Sequence, residues 1–312
     1  MLTLTMNPAL DKSALITQVM PNEKLRCQLP SFEPGGGGVN VARVVKRLGS
    51  EAQAIYPGGG ATAEHFEQLL REEGIDQKRI QIKNRMRENL TVTEKTTGNQ
   101  YRFVFPGAPL DTQEWEKCLE IVLDQAREKK FVVVSGSLPP NVPDDFYARL
   151  VCKIRNMDHD VKLIVDTSGK PLVKLHKTGF FLLKPNLREL RDLTGRDLKS
   201  ENEQEKASKE LIDEGTCEVV ILSLGPAGLL LSTKQMQKHF RSPTVTVKSR
   251  VGAGDSTVAG IVTGLMRNYD IEEAVMLGIA AGAAAAMTPG TELCRREDVE
   301  YLFKNLKNKN KV

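Results

Sequence analysis

The chain has 312 residues, 40% hydrophobic and 27% charged, enough to bury a sizeable core as one large α/β domain or two modest ones. Its +4 net charge is spread along the chain, partly in the closing "KNLKNKNKV" (304–312), which reads as a solvated tail; there is no concentrated basic stripe or nucleic-acid-binding module. Five distant cysteines (27, 118, 152, 217, 294), four scattered histidines (His65, His159, His176, His239), no secretory start and no run of about 20 apolar residues argue against a disulfide framework, a zinc site, secretion and a membrane span, and fit a cytoplasmic protein with reduced thiols.

The first apolar run is "LTLTM" (2–6), with Asp11 following in "NPALDK"; "EKLRCQLPSFE" (23–33) reads as extended. "FEPGGGGVNVARVVKRLG" (32–49) sets four glycines before a helix whose apolar face carries Val41, Val44, Val45 and Leu48, with Arg43, Lys46 and Arg47 turned to water. Four glycines lose much chain entropy on folding, which makes sense where a backbone must come close to a ligand. Asn40, just inside the helix, offers an amide suited to sugar hydroxyls. "NLTVTEKTTGNQYRFVF" (89–105) alternates around a Thr-Gly-Asn turn and predicts a β-hairpin.

Further along, "FVVVSGS" (131–137), "KLIVDTSG" (162–169), "FFLLKPN" (180–186) and "EVVILSLG" (218–225) are short apolar runs. They alternate with helical patterns at 111–129, 144–156, 201–214 and 271–287. That order predicts an α/β fold, a three-layer doubly wound domain around a mostly parallel sheet. Ligands in such folds gather at the carboxyl ends of the strands, which singles out Asp11, Ser135, Ser137, Asp166, Lys184, Asn186 and Ser223. The hairpin and the extended 23–33 do not belong to a parallel sheet. They are assigned to a small antiparallel sheet, a flap over the strand ends or an oligomer contact, because an apolar flap with open edges calls for a partner.

Three stretches carry chemistry in the second half. "LLKPNLREL" places Asn186 and Glu189 at i, i+3, oxygen ligands of the kind that suit Mg²⁺ held mainly through water and phosphates; the competing reading of Glu189 is a surface carboxylate near Arg188 and Arg191. "LSLGPAGLLL" (222–231) is a strand-to-glycine turn whose amides could meet a nucleotide, and "AGAAAAMTPG" (281–290) offers small side chains either for a flat purine or for close helix packing. "KSRVGAGDSTVAGIVTGL" (248–265) puts Gly252, Ala253 and Gly254 at a helix start, where free amides favour an anion. Asp255 there is either a helix cap or a base for an attacking alcohol. The stretch is not a P-loop, and Thr257 stands where a dinucleotide fingerprint needs its third glycine.

The order of Asp11 in "NPALDK", Gly₄-Val-Asn, "SGSLPP", "KPNLRE", "SLGPAG" and "GAGD" spans the chain and resembles the ribokinase-like sugar kinases of the pfkB type, most closely their minor bacterial 6-phosphofructokinase branch. The resemblance implies one kinase domain over 1–312, with a β-sheet lid from segments about 10–34 and 85–105 through which family members dimerise. It implies ATP- and Mg²⁺-dependent phosphorylation of fructose 6-phosphate to fructose 1,6-bisphosphate, with Asp255 as general base and residues 252–254 as anion hole. Asp11, Gly36, Gly37, Asn40 and Ser137 would meet the sugar. Lys24, Arg87 and Arg102 on the flap would hold its phosphate, an Arg fork matching that group well, although each alone could be a solvated surface charge. Lys184, Asn186, Ser223, Gly225, Pro226, Gly228 and Ala283 would meet the nucleotide, and Glu189 a Mg²⁺ through water. The carbonyls of Ser249, Val251, Ala285 and Gly290 would face a monovalent cation, often K⁺. Relatives acting on sugar 1-phosphates or tagatose 6-phosphate tend to carry a lysine in the glycine run; this chain has Gly37, which favours fructose 6-phosphate. The alternatives are a 1-phosphofructokinase, a tagatose-6-phosphate kinase or, in another class, a non-catalytic nucleotide or sugar sensor.

Overall fold

The computed structural model describes residues 1–157 and 160–309, so His159 and residues 310–312 of the expected tail lie outside the described residues. Its strands are β1 (Leu2–Leu4), β2 (Ala9–Ile16), β3 (Ser31–Gly35), β4 (Gln53–Gly58), β5 (Asp76–Gln81), β6 (Arg87–Glu94), β7 (Gln100–Phe103), β8 (Phe131–Ser135), β9 (Lys162–Asp166), β10 (Phe180–Leu183), β11 (Cys217–Ser223), β12 (Leu229–Ser232) and β13 (Gln237–Phe240). Its helices are α1 (Gly37–Arg47), α2 (Gly60–Glu72), α3 (Thr112–Ala126), α4 (Phe146–Arg155), α5 (Gly169–Val173), α6 (Leu187–Thr194), α7 (Glu201–Asp213), α8 (Ala253–Met266), α9 (Ile271–Ala286) and α10 (Arg296–Lys309). Residues 304–309, expected in the solvated tail, instead continue α10.

A nine-stranded sheet in the order β13-β12-β11-β10-β9-β8-β1-β4-β5 runs parallel from β11 to β5, with β12 and β13 antiparallel at one edge. Successive side chains of a strand point to opposite faces. Accordingly Phe131 and Val133 join a core with α1, α2, α8, α9 and α10, while Val132 and Val134 join one with α3 to α7. The sheet is therefore the middle of three layers, and the fold is the ribokinase-like α/β arrangement that the resemblance implies. Helix starts are set by local chemistry: Asp111, Asn186 and Ser200 each form a reciprocal capping box with a glutamate three residues on.

A second sheet, in the order β3-β2-β6-β7, stands apart. It is mixed, not antiparallel as expected: β2 runs parallel to β6 over eight residue pairs, from Ala9↔Arg87 to Ile16↔Glu94. The reason is topological. β2 follows β1 and β6 follows β5, two parallel strands of the large sheet, so both leave that sheet in the same direction. Only β3 and β7 turn back as antiparallel neighbours. Of the segment expected to be extended, 23–33, only the end from Ser31 is strand; residues 21–29 are irregular and exposed.

Arg43 also departs from expectation. It is 2% exposed, not turned to water, because Glu73, thirty residues later, receives its guanidinium. All five cysteines are free, and among the described residues no helix is long and apolar enough to cross a membrane.

The closest helix contact is between α8 and α9. A Cβ on Gly260 would come within 2.6 Å of the Leu277 carbonyl, and one on Gly278 within 2.8 Å of the Thr257 carbonyl. Backbone cannot retreat as a flexible side chain can. Gly260→Ala is therefore expected to destabilise the fold by about 1–3 kcal/mol, the usual penalty of overpacking, read as a lower urea midpoint.

Candidate active site

The mouth of α8 opens at the carboxyl ends of the strands. Gly252 precedes the helix at φ +73°, a left-handed conformation, and a side chain there would come within 2.4 Å of Leu293 Cδ2. No side chain caps the helix. Asp255 is its third residue, too far in to be the cap, and its Oδ2 accepts a 2.8 Å hydrogen bond from Asn40 Nδ2. Asp255 is thus not the helix cap: its carboxylate is held from outside the helix, and no side chain takes up the amides of the first turn. Burial raises its pKa to about 6, Asp166 and Asp11 adding to the rise while Asn40 and Lys184 oppose it.

Lys184 follows β10 and is 6% exposed, its Nζ 3.2 Å from Asp166 Oδ1. Burial alone would lower its pKa, but Asp166, Glu189 and Asp255 outweigh burial and raise it. A Cβ on Gly254 would lie 3.8 Å from Lys184 Nζ, which places that ammonium beside the α8 mouth. Asn186 and Glu189 cap α6 reciprocally: Asn186 N donates to Glu189 Oε2 at 2.8 Å, and Glu189 N to Asn186 Oδ1 at 2.9 Å. Burial raises the Glu189 pKa, and Asp166 raises it further. Arg191 is engaged with Asp197 and the Leu198 carbonyl, so the simple surface pairing with Glu189 is not formed.

The glycine run lies against the strand ends. Cβ atoms on Gly37 and Gly38 would come within 2.2 Å of Ser135 Oγ and 2.6 Å of Thr5 Oγ1, and Gly36 sits at φ +112°. Asp11 Oδ2 occupies the place of a Gly35 side chain, and Asp11 Oδ1 accepts from Asn89 Nδ2 at 2.8 Å. Burial raises the Asp11 pKa, against the pull of Asn89, Arg87, Arg102 and Arg43. Arg87 donates to the carbonyls of Pro8, Phe105 and Asn7, and Asn7 Nδ2 donates to Ser137 Oγ at 3.0 Å. Arg102 is exposed on β7 and reaches Asp11 only by its charge. Lys24 is not brought in: it is exposed on the irregular stretch before β3, and among the described residues no hydrogen bond or ion pair ties it to this group.

Around the expected nucleotide contacts, Asn186 bridges Ser223, and Gly225–Ala227 form a 3-10 turn closed by Leu224 N to the Gly228 carbonyl at 2.9 Å. Gly228, at φ +112°, lies where a Cβ would meet the Phe240 carbonyl at 1.9 Å. Gly225 and Pro226 are exposed, whereas Ala283 is 7% exposed and the alanine run mainly packs α9 into the core. The segments carrying Ser249, Val251, Ala285 and Gly290 are laced together by Lys248 N to the Ala286 carbonyl (2.8 Å) and Ser249 Oγ to the Gly290 carbonyl (2.8 Å).

Asp166, Asn7 and Asn89 join the site without an assigned role in the sequence reading. Asp166 carried a signal as the polar end of an apolar strand. Asn7 and Asn89 carried none, because their partners are far along the chain.

Residues 4–298 match the model of the pfkB family of carbohydrate kinases, and the chain belongs to that family. It is 47% identical over 302 residues to ATP-dependent 6-phosphofructokinase isozyme 2 of Mycobacterium tuberculosis, covering 97% of this chain and 88% of that protein. It is 40% identical to the protein of that name in Escherichia coli K12 (96% and 97% covered) and 31% identical to 1-phosphofructokinase of Bacillus subtilis (98% of each). The solved structure of E. coli phosphofructokinase-2 in complex with potassium superposes with a TM-score of 0.93 at 40% identity, covering 98% of both chains. A tetrameric inhibited form of the same enzyme superposes at 0.92, with 39% identity and 98% of each chain covered. Thermotoga maritima ribokinase, 21% identical with a TM-score of 0.76 over 97% of this chain and 99% of its own, shares the fold.

A carboxyl group whose folded pKa lies near 6, above its ordinary 3.8, binds its proton more tightly in the native state. Its contribution to stability therefore falls as pH rises from about 4 to 6 and stays low above that. Asp255→Asn is expected to stabilise the fold at pH 8 by about 1–3 kcal/mol, with the gain shrinking below pH 6. Thermal unfolding of both proteins across that range checks it.

Proposed function

We propose that this pfkB-family kinase transfers the γ-phosphate of ATP to the 1-hydroxyl of fructose 6-phosphate. The observation that carries the reading is the Asp255 carboxylate, held by Asn40 beside the uncapped first turn of α8. In the transfer, Asp255 accepts the hydroxyl proton as the new O–P bond forms and the bond to the ADP oxygen breaks. The amides of Gly252, Ala253 and Gly254 offer fixed donors to the charge spread over the phosphoryl group. Lys184, beside them, adds a positive charge that three carboxylates keep in place.

Asp11, Gly36, Gly37, Asn40 and Ser137 would meet the sugar. Arg87 and Arg102 supply the cationic side of the Asp11 group for its phosphate; Lys24 joins only if the stretch before β3 moves. The 223–228 turn, Asn186 and Ala283 would take the nucleotide. Among the described residues no three His, Cys, Asp or Glu side chains converge to hold a metal alone. The surplus of carboxylates around Lys184 fits a Mg²⁺ that shares its shell with phosphate and water, with Glu189 reaching it through water and the ion neutralising phosphate charge. The carbonyls of Ser249, Val251, Ala285 and Gly290, on segments that hydrogen bonds lace together, are neutral oxygen donors of the kind that would take a monovalent cation such as K⁺.

The glycine at 37 supports the acceptor: a side chain there would have to displace Ser135. The small sheet serves as lid, and its exposed Leu15 and Phe103, with Leu29, Val104 and Phe105 on the chain flanking β3 and β7, support a homodimer through it.

A coupled assay of ADP release should give its highest kcat/KM with fructose 6-phosphate, above fructose 1-phosphate and tagatose 6-phosphate, and K⁺ should raise the rate. Another preferred acceptor would overturn the assignment. kcat/KM should fall as pH drops through about 6, where Asp255 takes up its proton. Asp255→Asn should lower kcat by about 10²–10⁴ with substrate KM little changed; near-wild-type turnover would remove it as the base. Arg87→Ala should raise the sugar-phosphate KM by about tenfold or more, the worth of a charge-assisted hydrogen bond, and the ATP KM much less.

A further inference from the structure

Arg43 and Arg47 lie one turn apart on α1 and share a single carboxylate. Arg43 Nε is 2.9 Å from both oxygens of Glu73, its Nη2 is 2.6 Å from Oε1, and its Nη1 donates to the Pro34 carbonyl at 2.9 Å. The same Nη2 stands 3.8 Å from Glu33 Oε2, a buried oxygen without a hydrogen-bond partner. Glu33 lies on β3 opposite Asp11. Arg43 thus meets the small sheet at the strand that leads into the glycine run.

Arg47 faces the other way. Its Nη2 is 3.7 Å from Glu73 Oε2, and its Nη1 donates to the carbonyls of both Glu292 and Cys294. Leu293, between them, is 1% exposed and held at φ +65°, a strained conformation for a non-glycine residue. The Thr288 hydroxyl lies 2.8 Å from the carbonyls of Leu293 and Ala285. Leu293 in turn fills the space beside Gly252 at the mouth of α8. A continuous chain of charged and packed groups therefore runs from Glu33 to the anion-binding turn.

We propose that Arg43, Glu73 and Arg47 are positioning residues that couple the small sheet to the mouth of α8. A shift of β3 brings the unsatisfied Glu33 onto Arg43. Arg43 then draws on Glu73, the one carboxylate it shares with Arg47, and this resets the grip of Arg47 on the strained Leu293 behind Gly252. A buried charge cannot be left unpaired cheaply, so a change at one arginine is felt at the other. The coupling rests on the kinase reading above but not on which sugar phosphate is the acceptor.

The test is a double-mutant cycle of Glu33→Gln and Arg47→Met in the full-length enzyme, with the acceptor that the wild type turns over fastest. Arg47→Met is expected to lower kcat about 10–100-fold, as a misplaced transition-state donor does, with the ATP KM within about threefold. Glu33→Gln is expected to raise the acceptor KM. The double mutant should depart from the product of the single effects on kcat/KM by about fivefold or more. A folded Arg47→Met enzyme with kcat within about twofold of wild type, or multiplicative effects, overturns the coupling. If Arg47→Met does not fold, Glu73→Gln, which keeps the shape and removes the shared charge, is read by the same criteria. A wild type that phosphorylates no sugar phosphate would instead sink the function proposed above.

Discussion

The hydrogen bond from Asn40 to Asp255 joins the first turns of two helices 215 positions apart, and much of the molecule is arranged so that it can form. For Asn40 to reach, α1 must begin directly on the ends of β1 and β8. The glycines allow this: Gly37 takes the space beside Ser135, Gly38 that beside Thr5, and Val39 N donates to Thr5 Oγ1 at 2.8 Å. For Asp255 to be met, α8 must lie flat on α9, which Gly260 and Gly278 permit. The glycines on both sides thus bring two helix mouths, each with a partial positive charge, to one point at the strand ends.

That convergence has an electrostatic cost which the charges around it partly offset. Asp166, Glu189 and Asp255 all act on Lys184, so one buried ammonium serves three carboxylates. Burial raises the pKa of Asp11, Glu189 and Asp255, and for Glu189 and Asp255 a neighbouring carboxylate adds to the rise. A site so short of positive charge is improved by a bound cation. In the function proposed above, the α8 amides and Lys184 would face the phosphate and a cation would sit among the carboxylates.

How much of this the sequence disclosed depends on how local each cause is. β8, β9, β10 and β11 are buried on both faces, so they stand out as continuous apolar runs. The edge strands β5, β7 and β13, reading "DQKRIQ", "QYRF" and "QKHF", carry no such signal, because most of their side chains are partly or fully exposed. The parallel pairing of β2 with β6 depends on where two chains leave the large sheet, not on any residue in either strand. Arg43 read as a water-facing residue because helix periodicity says nothing of a glutamate thirty positions on. In the site, residue types at strand ends were legible: Asp11, Asp166, Lys184 and Asn186 are all there. Their pairings were not, since Asn89 on Asp11 and Asn40 on Asp255 are set by tertiary contact alone.

Those pairings also treat two similar carboxylates differently. Asp11 and Asp255 face one another's charge across the cleft, and both lose water. Asp11 is compensated by the amide of Asn89 and by three guanidinium groups, Arg87, Arg102 and Arg43. Asp255 has Asn40 and Lys184 on its side but Asp166 and Asp11 against it, and its pKa reaches about 6. Burial raises both, but the cations around Asp11 oppose its rise, whereas the carboxylates beside Asp255 add to its own; with a pKa of about 6, Asp255 is still mostly ionised at neutral pH. The difference is set by neighbours on β6, β7, α1 and β9, not by the aspartates themselves. It is Asp255, not Asp11, whose rise is fed by neighbouring carboxylates, in keeping with the roles proposed above.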